Sequence, residues 1–176
     1  MRPAKILPFF LLTAVITVSD QITKKLILNK LVENESLSVW GDLIYFRPVY
    51  NFGGAMGTSI GPAWLYTILT IAALILIAHY FIKTKTEATL GHLSLSLIFG
   101  GALGNLLDRF QYGKVVDFID IDFPDIPFLN LYRWYTFNIA DASISIGLVI
   151  FGIYILFIRD KGQDKKPIIA EQPADN

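Results

Sequence analysis

The chain has 176 residues, of which 53% are hydrophobic and 17% charged, against about 25% charged in ordinary soluble domains. With a mean hydropathy of +0.51, this balance excludes a typical soluble globule or a disordered chain and fits a polytopic membrane protein. Lys plus Arg and Asp plus Glu are 15 each, so no basic excess points to nucleic acid; the absence of cysteine excludes a disulfide framework, a thiolate metal site and a cysteine nucleophile.

A bilayer core takes about 20 mostly apolar residues per helix. Four stretches meet or approach that: a first helix over about 4–24, built on the apolar run Ile6–Val18, then 63–82, 90–108 and 137–158. The first run also has the basic start of a cleaved signal peptide, but Thr17-Val18-Ser19 is a weak cleavage site. Asp20 and Lys24 are four apart and would pair on a continuing helix, so the segment is expected to be retained. The aromatic, β-branched segment Val39–Tyr50 is expected to form short strands, and Val115–Phe123 partly alternates, with Asp117, Ile119, Ile121 and Phe123 on one face. The expected fold is therefore an all-α polytopic membrane protein with four transmembrane helices and a small β-layer. One domain would occupy 1–159, with outer segments 25–62 and 109–136, followed by a disordered tail over 160–176.

Orientation follows from the density of basic residues. Arg2, Lys5, Lys83, Lys85, Arg159, Lys161, Lys165 and Lys166 crowd the N-terminus, one short turn and the tail, which places both termini in the cytoplasm. The β-layer is then extracytoplasmic, with Trp64, Tyr66, Trp134 and Tyr135 near the outer interface.

Ionisable residues at membrane depth are functional candidates. Asp141 lies at the outer end of the fourth helix, three residues after Asn138; the plainer reading is a first-turn acid that stabilises the helix. Gly100 and Gly104 suit close helix contact, and Asn105, Asp108 and Arg109 share one helix face, as a polar wall or a boundary ion pair. Asp117 sits among Val116, Phe118, Ile119 and Ile121, where an apolar setting would resist ionisation; a solvated loop acid is the alternative. Asn51-Phe52-Gly53-Gly54-Ala55-Met56-Gly57 permits a tight turn with close backbone approach, or is a plain loop-to-helix junction.

If Asp117 and Asp141 converge, they would share one proton, one accepting from water while the other polarises a carbonyl. Spacing does not show convergence. His79 and His92 fall toward the opposite membrane face, roughly 25–30 Å away across the core, which disfavours a Ser-His-Asp triad or a histidine zinc site beside these acids. Asp117, Asp120 and Asp122 lack the glycine turn and distant Glu of a calcium loop.

Five elements in order resemble the lipoprotein signal peptidase, or signal peptidase II, family. They are Asp20-Gln21-x-x-Lys24, Asn51-x-Gly53-x-Ala55-x-Gly57, Gly100-Gly101-Ala102-x-Gly104-Asn105-x-x-Asp108-Arg109, Val116-Asp117-Phe118 and Phe137-Asn138-x-Ala140-Asp141. The resemblance implies an intramembrane aspartyl endopeptidase of the bacterial cytoplasmic (inner) membrane. It would cut diacylglyceryl-modified prolipoproteins before the lipidated cysteine, on the extracytoplasmic side, with no metal or organic cofactor. Catalytic aspartates are then expected at Asp117 and Asp141. Asp20, Lys24, Asn51, Gly53, Ala55, Gly104, Asn105, Arg109, Asn138 and Ala140 would line or support the site, together with the boundary acid Asp108. Met56 and Ala142 depart from the phenylalanine and serine usual in the family, and Asp120–Arg133 is individual to this chain. Prolipoproteins and membrane lipids are the expected partners of an expected monomer. A proton- or ion-relay transporter would place polar groups through the membrane midplane, whereas here they cluster at one face; a lipoprotein-binding factor would hold its ligand uncut.

Overall fold

The computed structural model describes residues 7–54, 61–83, 88–123 and 134–158. Ala55, Met56 and Gly57, residues 124–133 and the tail 160–176 lie outside the described residues. Four long helices form the body: α1 (Leu7–Leu28), α2 (Ala63–Lys83), α3 (Thr89–Tyr112) and α4 (Ile139–Ile153), which ends in a π-helical turn over Tyr154–Ile158. Three strands, β1 (Leu37–Trp40), β2 (Ile44–Asn51) and β3 (Val115–Ile121), form one antiparallel sheet in that order.

The central helix is α3, packed against α1, α2 and α4. Small residues make that possible. A Cβ at Gly100 would lie 3.0 Å from the Thr13 carbonyl oxygen, and one at Gly101 would collide with the Ala140 carbonyl of α4. The Thr13, Thr17 and Gln21 side chains donate to the carbonyls of Ser96, Gly100 and Gly104, each pair 83 residues apart, so α1 runs parallel to α3 at constant offset. Such close backbone approach is how apolar helices associate where no hydrophobic force acts between them. Gly101→Val is expected to lower stability by about 1–3 kcal/mol through overpacking against α4. Thermal unfolding in detergent measures it; a variant melting with the parent protein would refute the packing argument.

α2, α3 and the α4 segment Ile139–Phe157 are long and apolar enough to cross a membrane, which makes the chain a multi-pass membrane protein. α1 is not among the three; its second half carries Asp20, Lys24 and Lys25. It also extends to Leu28, one turn beyond the expected Lys24, and α3 extends to Tyr112 rather than Asp108. Asp20 and Lys24 of the one and Asp108 of the other are buried against one another, and both helices continue past them. Gly113, left-handed at φ 71°, then stops α3 and turns the chain into β3.

The sheet caps the end of the bundle where α1 and α3 finish and α2 and α4 begin. Between Phe46 and Val49, the residues Arg47 and Pro48 oppose Phe118 alone, a bulge that tolerates a proline lacking an N–H. Arg47 Nε stands 2.9 Å from Oδ2 of the fully buried Asp120 and braces the bulge. Past it, Val49 pairs with Asp117 and Asn51 with Val115. On its other edge, β3 is tied to the approach to α4, because Ile119 N donates to Phe137 O at 2.8 Å and Phe137 N to Ile119 O at 3.0 Å. That pair of bonds sets Asn138 and the start of α4 beside β3.

Candidate active site

Asn138 caps α4. Its side-chain oxygen accepts from Asp141 N at 2.8 Å, and its own N donates to Asp141 Oδ2 at 3.3 Å, a capping box. The plainer sequence reading of Asp141 as a first-turn acid is thus realised. The same geometry fixes Asp141 beside Asp117, and both readings hold at once. Asn138 Nδ2 donates to Asp117 Oδ1 at 2.8 Å and to Asn105 Oδ1 at 3.0 Å. Asn105 Nδ2 donates to Asp141 Oδ1 at 2.7 Å, and Asn51 Nδ2 to Asp117 Oδ2 at 3.1 Å. Four elements therefore converge on two carboxyl groups: β2 through Asn51, α3 through Asn105, β3 through Asp117, and α4 through Asn138 and Asp141.

Asp117 lies on the sheet, outside the membrane-spanning helices, and is 3% exposed. Burial, then the charge of neighbouring Asp141, pushes its carboxyl up to about 7, while the Asn51 hydrogen bond and the charge of Lys24 pull the other way.

Behind the pair lies a buried ionic cluster. Lys24 Nζ is 2.7 Å from Asp20 Oδ2 and 2.8 Å from Asp108 Oδ2, and donates to Asn105 Oδ1 at 3.1 Å. Asp20 Oδ1 accepts from Ala140 N at 3.0 Å, in the first turn of α4, where the helix dipole favours negative charge. Asp108 Oδ2 accepts from Val116 N at 2.9 Å, and Gln21 Nε2 donates to Asp108 Oδ1 at 2.8 Å. A Cβ at Gly104 would sit 2.6 Å from Asp20 Oδ2, so only glycine leaves this carboxylate its place. As an obligate donor, the ammonium of Lys24 turns the Asn105 oxygen toward itself and the Asn105 amide toward Asp141. Arg109 reaches the Gly53 carbonyl at 3.1 Å and pins the turn in which Gly53 N donates to Asn51 Oδ1 at 2.9 Å.

The carboxyl pair closes one end of a trough of about 770 Å³ between α2, α3 and α4. Around the pair its wall holds Asn51, Asn105 and Arg109, with Tyr66, Trp134 and Tyr135; away from the pair it is apolar, with Leu69, Ala73, Ile77, Ile98, Ile144 and Leu148.

All described candidates gather here: Asp20, Lys24, Asn51, Gly53, Gly104, Asn105, Asp108, Arg109, Asp117, Asn138, Ala140 and Asp141. Ala55 lies outside the described residues. Sequence reasoning assigned no role to Gln21, although a glutamine between two ionisable residues in an apolar helix was a usable signal. It also missed the Arg47–Asp120 brace, for which alternation alone left no sign. The three acids of the 117–122 segment do not converge: Asp117 faces the asparagines and Asp120 faces Arg47. Among the described residues no group of three or more His, Cys, Asp or Glu is placed to hold a metal ion. His79 is exposed, while His92 is buried between Phe9 and Phe81, ring centroids 5.2 and 4.7 Å away, at the far end of the bundle.

Fold and site together define a multi-pass membrane protein with a carboxyl pair, Asp117 buried and Asp141 half-buried, at the end of an apolar trough. The family model described as signal peptidase (SPase) II matches residues 12–157. A lipoprotein signal peptidase of Bacillus velezensis is 34% identical over 158 residues, covering 90% of this chain and 98% of that protein. One of Chlorobium phaeobacteroides is 36% identical, covering 83% and 88%. A solved bacterial membrane enzyme superposes with a TM-score of 0.75 at 31% identity, over 96% of this chain and 94% of its own. The chain belongs to the signal peptidase II family, proteases of lipoprotein processing.

Proposed function

We propose that this protein is an intramembrane aspartyl endopeptidase. It removes signal peptides from diacylglyceryl-modified prolipoproteins by cutting before the lipidated cysteine, and Asp117 and Asp141 are its catalytic residues. The observation that carries this reading is the meeting of the two carboxyls, each held by asparagine donors, at the end of an apolar trough.

The substrate's signal helix and acyl chains enter the trough sideways from the bilayer, and the scissile carbonyl settles between the carboxyls. Asp141 accepts from Asn105 Nδ2 and Asn138 N at a helix N-terminus, so it serves as the base. It takes a proton from water as the water oxygen bonds to the carbonyl carbon. Asp117, buried deeper, holds the shared proton and donates it in a hydrogen bond to the carbonyl oxygen. Collapse of the tetrahedral intermediate breaks the C–N bond, and the proton taken from water goes to the leaving amine of the lipidated cysteine. No cofactor enters these steps.

Asp20, Lys24, Asn51, Gly53, Ala55, Gly104, Asn105, Asp108, Arg109, Asn138 and Ala140 support or line this site. Residues 1–159 act as one domain, followed by a cytoplasmic tail over 160–176. α1 is the fourth span: it runs beside α3, and its outward residues Phe10, Leu11, Val15, Val18, Ile22 and Leu26 are exposed, as a lipid-facing stripe requires. The distribution of basic residues supports cytoplasmic termini, with the dyad toward the extracytoplasmic side of the inner membrane. A monomer holds every group the reaction uses.

The deciding experiment is cleavage of a diacylglyceryl-modified prolipoprotein by the detergent-purified full chain with EDTA present, beside its unlipidated form. Cleavage of the lipidated form alone is expected. Failure to cut either, by protein shown to be folded, would overturn the proposal. The acid arm also gives a pH dependence: with Asp117 pushed up to about 7 in the free protein, kcat/KM is expected to fall as the pH rises through that value and the shared proton is lost. A flat kcat/KM profile from pH 6 to 9 would count against Asp117 as the acid.

A further inference from the structure

One polar group in the apolar part of the trough has no role in the chemistry above. Ser145 lies on α4 four residues after Asp141, hence on the same helix face and one turn, about 5.4 Å, further into the bilayer. A serine in an apolar helix commonly closes its hydroxyl on the carbonyl four residues back. Thr17, Thr70 and Ser96 do so here, on Thr13, Tyr66 and His92. Across the trough Thr70 is thereby engaged, whereas the Ser145 hydroxyl makes no hydrogen bond among the described residues. An open hydroxyl facing hydrocarbon is costly unless a ligand satisfies it.

We propose that Ser145 is a specificity-determining residue that donates a hydrogen bond to an ester carbonyl of the substrate's diacylglyceryl group. The inference rests on the peptidase reading and names which part of the lipid is read. From the scissile carbonyl carbon, the substrate passes through the amide nitrogen, Cα, Cβ, sulfur and two glyceryl carbons to an ester oxygen and its carbonyl. That is about eight bonds, a reach that covers one helical turn from Asp141. Beyond the ester the acyl chains meet the trough's apolar wall, with Ile77, Ile98 and Leu148 among its residues, which holds hydrocarbon without discriminating among hydrocarbons. The ester carbonyls are the polar mark that separates a diacylglyceryl group from any other greasy anchor, and Ser145 is the donor placed to meet one.

The test compares a diacylglyceryl prolipoprotein peptide with its dialkyl ether analogue, which lacks both ester carbonyls, using purified full-length protein. The parent enzyme is expected to show the lower KM for the ester. Ser145→Ala is expected to raise KM for the ester by roughly three- to tenfold, the loss of one neutral hydrogen bond, with KM for the ether and both kcat values unchanged. Ser145→Thr, which keeps the hydroxyl, should restore the ester preference. An unchanged ester-to-ether KM ratio in Ser145→Ala, or no ester preference in the parent enzyme, overturns the assignment while leaving the peptidase standing. Failure of the parent enzyme to cut either peptide would instead overturn the peptidase reading, and this inference with it.

Discussion

Asp117→Asn and Asp141→Asn are each expected to reduce cleavage of a lipidated prolipoprotein by at least about 10³-fold, since each removes one arm of a proton-transferring pair that acts as a unit. Neither change alters side-chain volume much. In Asp117→Asn the amide oxygen still accepts from one of the two asparagines that hold the carboxyl, Asn51 and Asn138. The thermal behaviour gives an independent reading. A folded-state value near 7 against an ordinary value of 3.8 means that the native state keeps its proton in a range where the unfolded chain has lost it. Between those values stability therefore falls as the pH rises, and above about 7 the whole penalty is present. Asp117→Asn carries no such charge. Its melting temperature relative to the parent protein is expected to be held or raised at pH 8, and this advantage should disappear near pH 4. Melting curves at both values, taken with turnover, distinguish a catalytic loss from an unfolded protein. An Asp117→Asn or Asp141→Asn protein that cleaves within tenfold of the parent would sink the dyad.

Lys24→Met is the second change with a large expected effect, and here the loss is structural. Lys24 is 3% exposed and stands between Asp20 and Asp108, which are 0% and 1% exposed. Removing the ammonium strands two buried carboxylates, and breaking a buried pair in this way costs about 3–5 kcal/mol. It also frees the Asn105 amide from the orientation in which it serves Asp141. The expected result is a large drop in melting temperature in detergent together with loss of cleavage. Adding Asp20→Asn and Asp108→Asn should recover part of the stability, because the uncompensated charge is then gone. A single variant that melts with the parent protein would show that the cluster does not hold the helices together.

Asp141 shows how a local rule and a functional site can coincide. Asn138-x-x-Asp141 is a helix-start pattern that any short window reveals, and the structure realises it as a capping box. Nothing in that window says that Asn138 has a second task, passing one amide hydrogen to Asp117 and one to Asn105. Likewise, Asp20 and Lys24 could be read as an i to i+4 pair from spacing alone, and they are one. That Asp108, eighty-four residues on from Lys24 by number, completes the cluster depends on the parallel run of α1 along α3. The length of α1 and α3 has the same cause: Asp20 and Lys24 of α1 and Asp108 of α3 meet one another in the interior, so both helices run on past them.

By itself the sequence determined the membrane character, the apolar runs that become α2, α3 and α4, the stranded nature of the segments around Val39–Tyr50 and Val115–Phe123, and the family. These follow from composition, from periodicity and from ordered motifs, all of which are local along the chain. Only the tertiary structure decided that Asp117 and Asp141 meet. Their proximity is set by the backbone bonds between Ile119 and Phe137, by the Arg47–Pro48 bulge that carries Asn51 past Asp117, and by the glycines that let α1 and α4 close on α3. Each is a contact between residues far apart in the chain, whose free energy exists only once the helices have packed, and no window of sequence contains both partners.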